Sequence, residues 1–355
     1  MNATSTDVAG AGVSPIDWAV AVSTARRLAR PGPVVPRSEA DASVARLRSI
    51  TAEAEGHVRA LTGLGDGLPL LDGDVVDRDG WIAAAAASIS ALTDGALPAR
   101  SGRVVAGVLS GTAGVQAGAV LAYLSSRVLG QYDPFAGDSG RLLLVAPNIV
   151  AARRSLEVDA QDFDMWVCLH ECTHRLQFTA VPWLRDYFAE QVATFVGGLD
   201  DSADNALSRL PELLKSARAK PDPTSSAGPM GVLELLQSPA QRAVFDRLIA
   251  LSTLLEGHAD HVMDAVGPLV VPSVGTIRQR FTARRKGGGL LDRVLRSLLG
   301  IDAKMKQYAV GAKFTTEVVE TVGMRAFNTI WTSPETLPLR AELSDPQAWV
   351  RRVAP

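Results

Sequence analysis

His170-Glu171-Cys172-Thr173-His174 stands inside a stretch, from about Asp159 to Phe178, whose residues read as one helix. On a helix, positions i and i+4 share a face one turn apart, so both imidazoles can reach a single metal ion. Glu171 projects about 100° from His170, near enough to that face to meet a water at the metal. Two ligands and a base on one turn form the core of a zinc hydrolase. Histidine placement agrees with this reading. Of five His in 355 residues, four (His170, His174, His258 and His261) fall in two short clusters, and only His57 stands apart.

A catalytic zinc takes three protein ligands and leaves a fourth position for water. Arg175-Leu176-Gln177-Phe178-Thr179-Ala180 offers neither the histidine nor the glycine that would supply a nearby third ligand. A glutamate on a separate helix is the other common solution, and Glu256-Gly257-His258-Ala259-Asp260-His261-Val262-Met263-Asp264 fits it. Glu256, Asp260 and Asp264 fall at i, i+4 and i+8, an acidic stripe whose self-repulsion calls for a cation opposite. Glu256 is the expected third ligand, with His261 as its rival. Asp260 is expected to accept a hydrogen bond from the far ring nitrogen of His170 or His174. Asp264 extends that outer layer or meets solvent.

The expected chemistry is hydrolysis, with Glu171 taking a proton from zinc-activated water and passing it to the leaving amine. A donor for the developing oxyanion is also required. His258, His261, Arg175 and Tyr308 are candidates, and spacing does not choose among them.

The rest of the chain sets the frame. At 47% hydrophobic and 21% charged it is an ordinary globular composition, and abundant Ala, Leu and Val with 5% aromatics favour helix packed on helix. A formal charge of −2 gives no broad reason to expect nucleic acid or a membrane surface as partner. Cys168 and Cys172 lie roughly 160° from His170 on the helix, turned from the metal, so a disulfide framework is not expected and a cytoplasmic chain is. Residues 1–14 lack a basic start and an apolar run and read as a loose tail. Val104 to Ser126 is uncharged and long enough to span a bilayer, but Ser110, Thr112, Gln116 and four glycines dilute it. It reads instead as a buried central helix whose glycines admit close neighbours.

Helices are expected over 17–62, broken at Pro31-Gly32-Pro33, and over Trp81–Leu92. Further helices are expected over Trp183–Leu199, from Ser238-Pro239 to Ala265, over Leu290–Val322 and over Ala348–Val353. Gly267 and Pro268 should end the helix that starts at Ser238-Pro239. Arg141–Pro147 is the best strand. Lys220–Pro229 and the glycines after Arg284-Arg285-Lys286 read as exposed loops. The fold class is α+β, predominantly helical, with a minor β component. The expected organisation is one domain over 15–355: an N-terminal helical part (15–150) and a metal-site part (151–355).

Six blocks together resemble the type-2 zincin-like metallopeptidases, an actinobacterial family (DUF2342) some of whose members are labelled as coenzyme F420 biosynthesis-associated. They are Asp17-Trp18-Ala19-Val20-Ala21, Arg30-Pro31-Gly32-Pro33, His170 through Phe178, Val181-Pro182-Trp183-Leu184, Leu255 through Asp264, and Trp331 through Pro338. The resemblance runs from Asp17 to Val353. It implies a zincin-like fold with His170, His174 and Glu256 on zinc and Glu171 catalytic, and it names no substrate.

The leading expectation is a zinc-dependent hydrolase acting on a peptide or protein. A helical interaction protein with a structural or inactive zinc site is the alternative, and Glu171 argues against it because a structural site needs no base. A zinc hydrolase for a non-peptide amide is the third reading.

Overall fold

The computed structural model describes residues 15–93, 103–198, 238–286 and 301–354. The tail 1–14, the loop Lys220–Pro229, the glycines 287–289 and the helix expected over 290–300 lie outside the described residues. Eleven α-helices are present among those described. They are α1 (Trp18–Leu28), α2 (Arg37–Thr62), α3 (Arg78–Thr93), α4 (Arg103–Ser125), α5 (Ala146–Leu156), α6 (Ala160–Thr179), α7 (residues 184–198), α8 (Pro239–Val270), α9 (Val274–Lys286), α10 (Ile301–Phe327) and α11 (Pro346–Val353). One small sheet accompanies them, in the order β1 (Asp74–Val76), β3 (Arg141–Val145), β2 (Gly130–Asp133). The fold is therefore predominantly helical α+β.

Strand β3 is the centre of the sheet, parallel to β1 and antiparallel to β2, with Gly130 opposite Leu144 and Asp133 opposite Arg141. Its alternation sorts two cores. Leu142 and Leu144 enter the larger core with α2, α6, α8 and α10, while Leu143 and Val145 join Trp81, Ile82, Ala25 and Leu121 on the opposite face. Helix α6 belongs to the larger core and is buried almost all round, including Phe163, Leu169, Cys172 and Leu176. Full burial of a side chain such as Leu169 contributes about 1.5–3 kcal/mol. Asp159 caps its start, accepting from the backbone N–H groups of Gln161 (2.8 Å) and Asp162 (3.0 Å). Asp162, in the first turn, accepts from the N–H of Ser273 at 2.8 Å.

Two expectations are corrected. Helix α4 is not buried on all sides: Val115 is 49% and Val120 39% exposed. Its glycines do serve close approach, because a Cβ on Gly114 would lie 2.6 Å from the Asp17 carbonyl oxygen and one on Gly118 2.5 Å from that of Ala21. Helix α8 also runs past Gly267 and Pro268 to Val270. A proline disrupts the turn that precedes it, and here the last turn still closes through Val271 N–H to the Gly267 carbonyl at 2.8 Å. The start of α8 is as expected, a capping box in which the Ser238 hydroxyl accepts from Gln241 N–H and the Gln241 side chain from Ser238 N–H. No helix among the described residues is long and apolar enough to cross a membrane.

Candidate metal centre

Helices α6 and α8 pack against each other so that three side chains converge. The Nε2 atoms of His170 and His174 lie 3.1 Å apart. Glu256 Oε2 from α8 is 3.5 Å from the first and 3.8 Å from the second. A tetrahedral zinc holding such atoms at about 2.0–2.2 Å separates neighbouring donors by about 3.3–3.6 Å. The three donors thus fit a zinc ion with little rearrangement, and their side chains are 16–26% exposed, which keeps a side open to solvent. The rival His261 is not part of this group. Its Nδ1 lies 3.0 Å from the hydroxyl of Thr316 on α10.

The electrostatics suit a cation. Burial alone would push His170 down, but the carboxylates of Glu256, Glu171 and Asp260 reverse this and raise it to about 9. Glu171 is 6% exposed. Burial pushes its carboxyl up to about 7, with His170 opposing and Glu256 adding to the rise. Asp260 is also raised by burial, against the pull of His170 and Arg278. A divalent ion at the convergence point would offset all three.

Glu171 has little room, and Gly130 on β2 is the reason it fits. A Cβ at position 130 would stand 2.6 Å from Glu171 Cγ and 2.9 Å from its Oε1. Nothing local in the sequence distinguishes Gly130 from a loop glycine. A second tight approach sits beside Glu256. Gly257 of α8 and Gly311 of α10 meet backbone to backbone, and a Cβ on either would collide with main-chain atoms of the other helix.

The far ring nitrogens find partners other than the expected one. His174 Nδ1 is 2.9 Å from Gln177 Oε1, and His170 Nδ1 is 3.3 Å from the Met263 sulfur. Among the described hydrogen bonds none joins the Asp260 carboxylate to either imidazole, so its influence on His170 is through charge. Asp264, half exposed, pairs with Arg278 at 2.7 Å.

The oxyanion candidates fare differently. Arg175 is fully buried on the opposite side of α6, paired with Glu55 of α2 and donating to the Leu71 carbonyl at 2.6 Å. Its 140° offset from His170 along the helix already placed it there. His258 is fully buried behind the site, in a cluster with Phe327 and Trp331 at 5.5 Å from each ring. Burial pushes it down to about 3, with His261 and His174 adding to the fall. His261 faces α10. Tyr308 lies on a part of α10 whose side chains are outside the described residues. None of the three described candidates reaches the open side of the site.

A cavity of about 390 Å³ opens further along α6, lined by Tyr132, Arg175, Phe178, Arg185 and Asp186 among others. Tyr132 shares the β2 face of Gly130, and its ring lies 5.9 Å from that of Phe178.

The profile of a family described as zincin-like metallopeptidase matches residues 16–350. No curated protein matches the chain. Among solved structures, a crystal structure from Chloroflexus aurantiacus, described as a proposed hydrolase with a novel fold, is similar. It is 31% identical with a TM-score of 0.66, over 95% of this chain and 98% of that one.

Proposed function

This chain belongs to the zincin-like metallopeptidase family, and on that premise we propose that it is a zinc-dependent hydrolase that cleaves amide bonds in peptides. The carrying observation is the convergence of His170, His174 and Glu256 within 4.8 Å, with Glu171 on the same turn of α6. Zinc, when bound there, supplies Lewis acidity that activates water and polarises a carbonyl. His170, His174 and Glu256 hold it. Glu171 moves the proton: its carboxylate accepts one from the attacking water and gives it to the leaving nitrogen. Burial beside Gly130 fixes where that carboxylate points.

The edge position of β2 supports a peptide as substrate. Among the described residues β2 pairs only with β3, so its other backbone edge has no strand partner, and we place an extended chain there, running past Glu171. Strand addition recognises main chain and suits many sequences, and the cavity beside Tyr132 and Arg185 lies further along the same face. The protein acts in the cytoplasm on this reading, consistent with two buried free cysteines.

The test combines zinc content with cleavage of a diverse peptide library by wild type, Glu171→Gln and His174→Ala. Stoichiometric zinc in wild type and Glu171→Gln, loss of zinc in His174→Ala, and cleavage by wild type alone are expected. Removing a general base lowers turnover by about 10²–10⁴-fold. Zinc whose removal only unfolds the protein, with wild type and Glu171→Gln equally inert, would favour the structural site instead.

A further inference from the structure

Gln177 stands one turn beyond His174 on α6 and is fully buried. Its Nε2 lies 2.9 Å from the carbonyl oxygen of Leu255, the residue before Glu256 on α8, and 3.0 Å from His258 Nδ1. Its Oε1 lies 2.9 Å from His174 Nδ1.

A backbone carbonyl can only accept, so the amide atom facing Leu255 must be the nitrogen. That single constraint propagates. The amide oxygen then faces His174, so His174 Nδ1 must carry the hydrogen and its Nε2 keeps a lone pair toward Glu256 and His170. The second amide hydrogen faces His258, so His258 Nδ1 must accept and its hydrogen resides on Nε2. His258 packs against the contacting pair Phe327 and Trp331, and Trp331 is held in turn by the Trp183 indole N–H donating to its carbonyl at 3.0 Å.

We propose that Gln177 is the positioning residue of the metal centre, a buried amide that fixes the His174 tautomer and locks the register of α6 against α8. One side chain then ties an imidazole ligand on one helix to the segment that delivers the carboxylate ligand on the other. His258 is its second acceptor, which explains a fully buried histidine that does not face the open side. This rests on the zinc reading above, and it concerns how the ligands are held.

Zinc affinity of the full chain, measured by competition with a chromophoric chelator, is compared with melting of the metal-free protein. Gln177→Leu, close in volume but without polar atoms, should weaken zinc by about 10–100-fold, the usual cost of losing the partner of a ligating histidine. Gln177→Glu keeps an acceptor for His174 but sets an oxygen against the Leu255 carbonyl. It should recover most of the zinc affinity and melt lower without metal. A Gln177→Leu variant that binds zinc within about threefold of wild type overturns the proposal. So does a Gln177→Glu variant that binds zinc as weakly as Gln177→Leu. Wild type that binds no zinc sinks the underlying reading instead. Should Gln177→Leu not fold, nitrogen-15 spectra of the wild-type histidines decide: His258 must show its hydrogen on Nε2 and His174 on Nδ1, and the opposite tautomer at either refutes the assignment.

Discussion

Helices α1 and α4 meet where Gly114 and Gly118 admit the backbone of α1, and helices α8 and α10 meet where Gly257 abuts Gly311. In both pairs the missing Cβ atoms bring main chain against main chain. The first contact lies in the layer with Trp81 and Leu121, across the sheet from the metal side, and α4 shows valines to solvent there. The second directly follows Glu256 and sets how closely α8 approaches α10. The same small-residue device serves only packing in one place and, on the proposed reading, the placement of Glu256 in the other.

The difference can be broken open by mutation. Gly257→Ala should have the largest effect, because the collision is with backbone and neither helix can yield locally. Overpacking of this kind costs about 1–3 kcal/mol or more, and displacing Glu256 should also weaken zinc at least tenfold in chelator competition. Gly130→Ala should come next. It leaves the three ligands in place but crowds Glu171, and a misplacement of about 1 Å can cost about 10²-fold in rate. Peptide turnover should fall by that order with zinc content unchanged. Gly118→Ala should lower the denaturation midpoint by an amount equivalent to about 1–3 kcal/mol while zinc affinity stays at the wild-type value. Loss of zinc from Gly118→Ala would show that the two layers are coupled and would undo the contrast.

The smallest expected effect concerns acid stability at the Glu342–Arg352 pair. Burial pushes the Glu342 carboxyl up, but hydrogen bonds from Arg352 and from the Leu339 N–H outweigh it and hold it below the usual carboxylate range. A depressed carboxyl stabilises the fold above its unfolded pKa, and the contribution disappears as pH falls through the folded value. Glu342→Gln should therefore narrow the stability gap between neutral pH and the region below about pH 4.5. An unaltered acid limb would show that the Arg352 pair contributes nothing.

Much of the candidate metal site was legible in the sequence because helical periodicity is local. His170, Glu171 and His174 needed only the 100° step, and the Asp159 cap and the Ser238 start needed only their own turns. Glu256 was legible through the acidic stripe. Strands β1 and β2 were not: Asp74–Val76 and Gly130–Asp133 are too short to carry a period, and they become strands only by pairing with β3. Gln177 was hidden for a related reason. Its part depends on a carbonyl 78 residues away, which no spacing rule encodes. Asp260 drew attention because carboxylates are the familiar partners of ligating histidines, whereas the structure gives that contact to a neutral amide. Gly130 and Gly311 act through what they leave out, and absent atoms are legible only once the neighbouring element is in place.

X-ray absorption at the zinc edge of the purified protein tests the central claim most directly. The account predicts one zinc per chain, with two imidazole nitrogens and oxygen donors at about 2.0–2.2 Å. A shell of sulfur at about 2.3 Å would mean that Cys168 or Cys172 binds the ion. Either that result or no zinc at all would contradict the assignment of His170, His174 and Glu256.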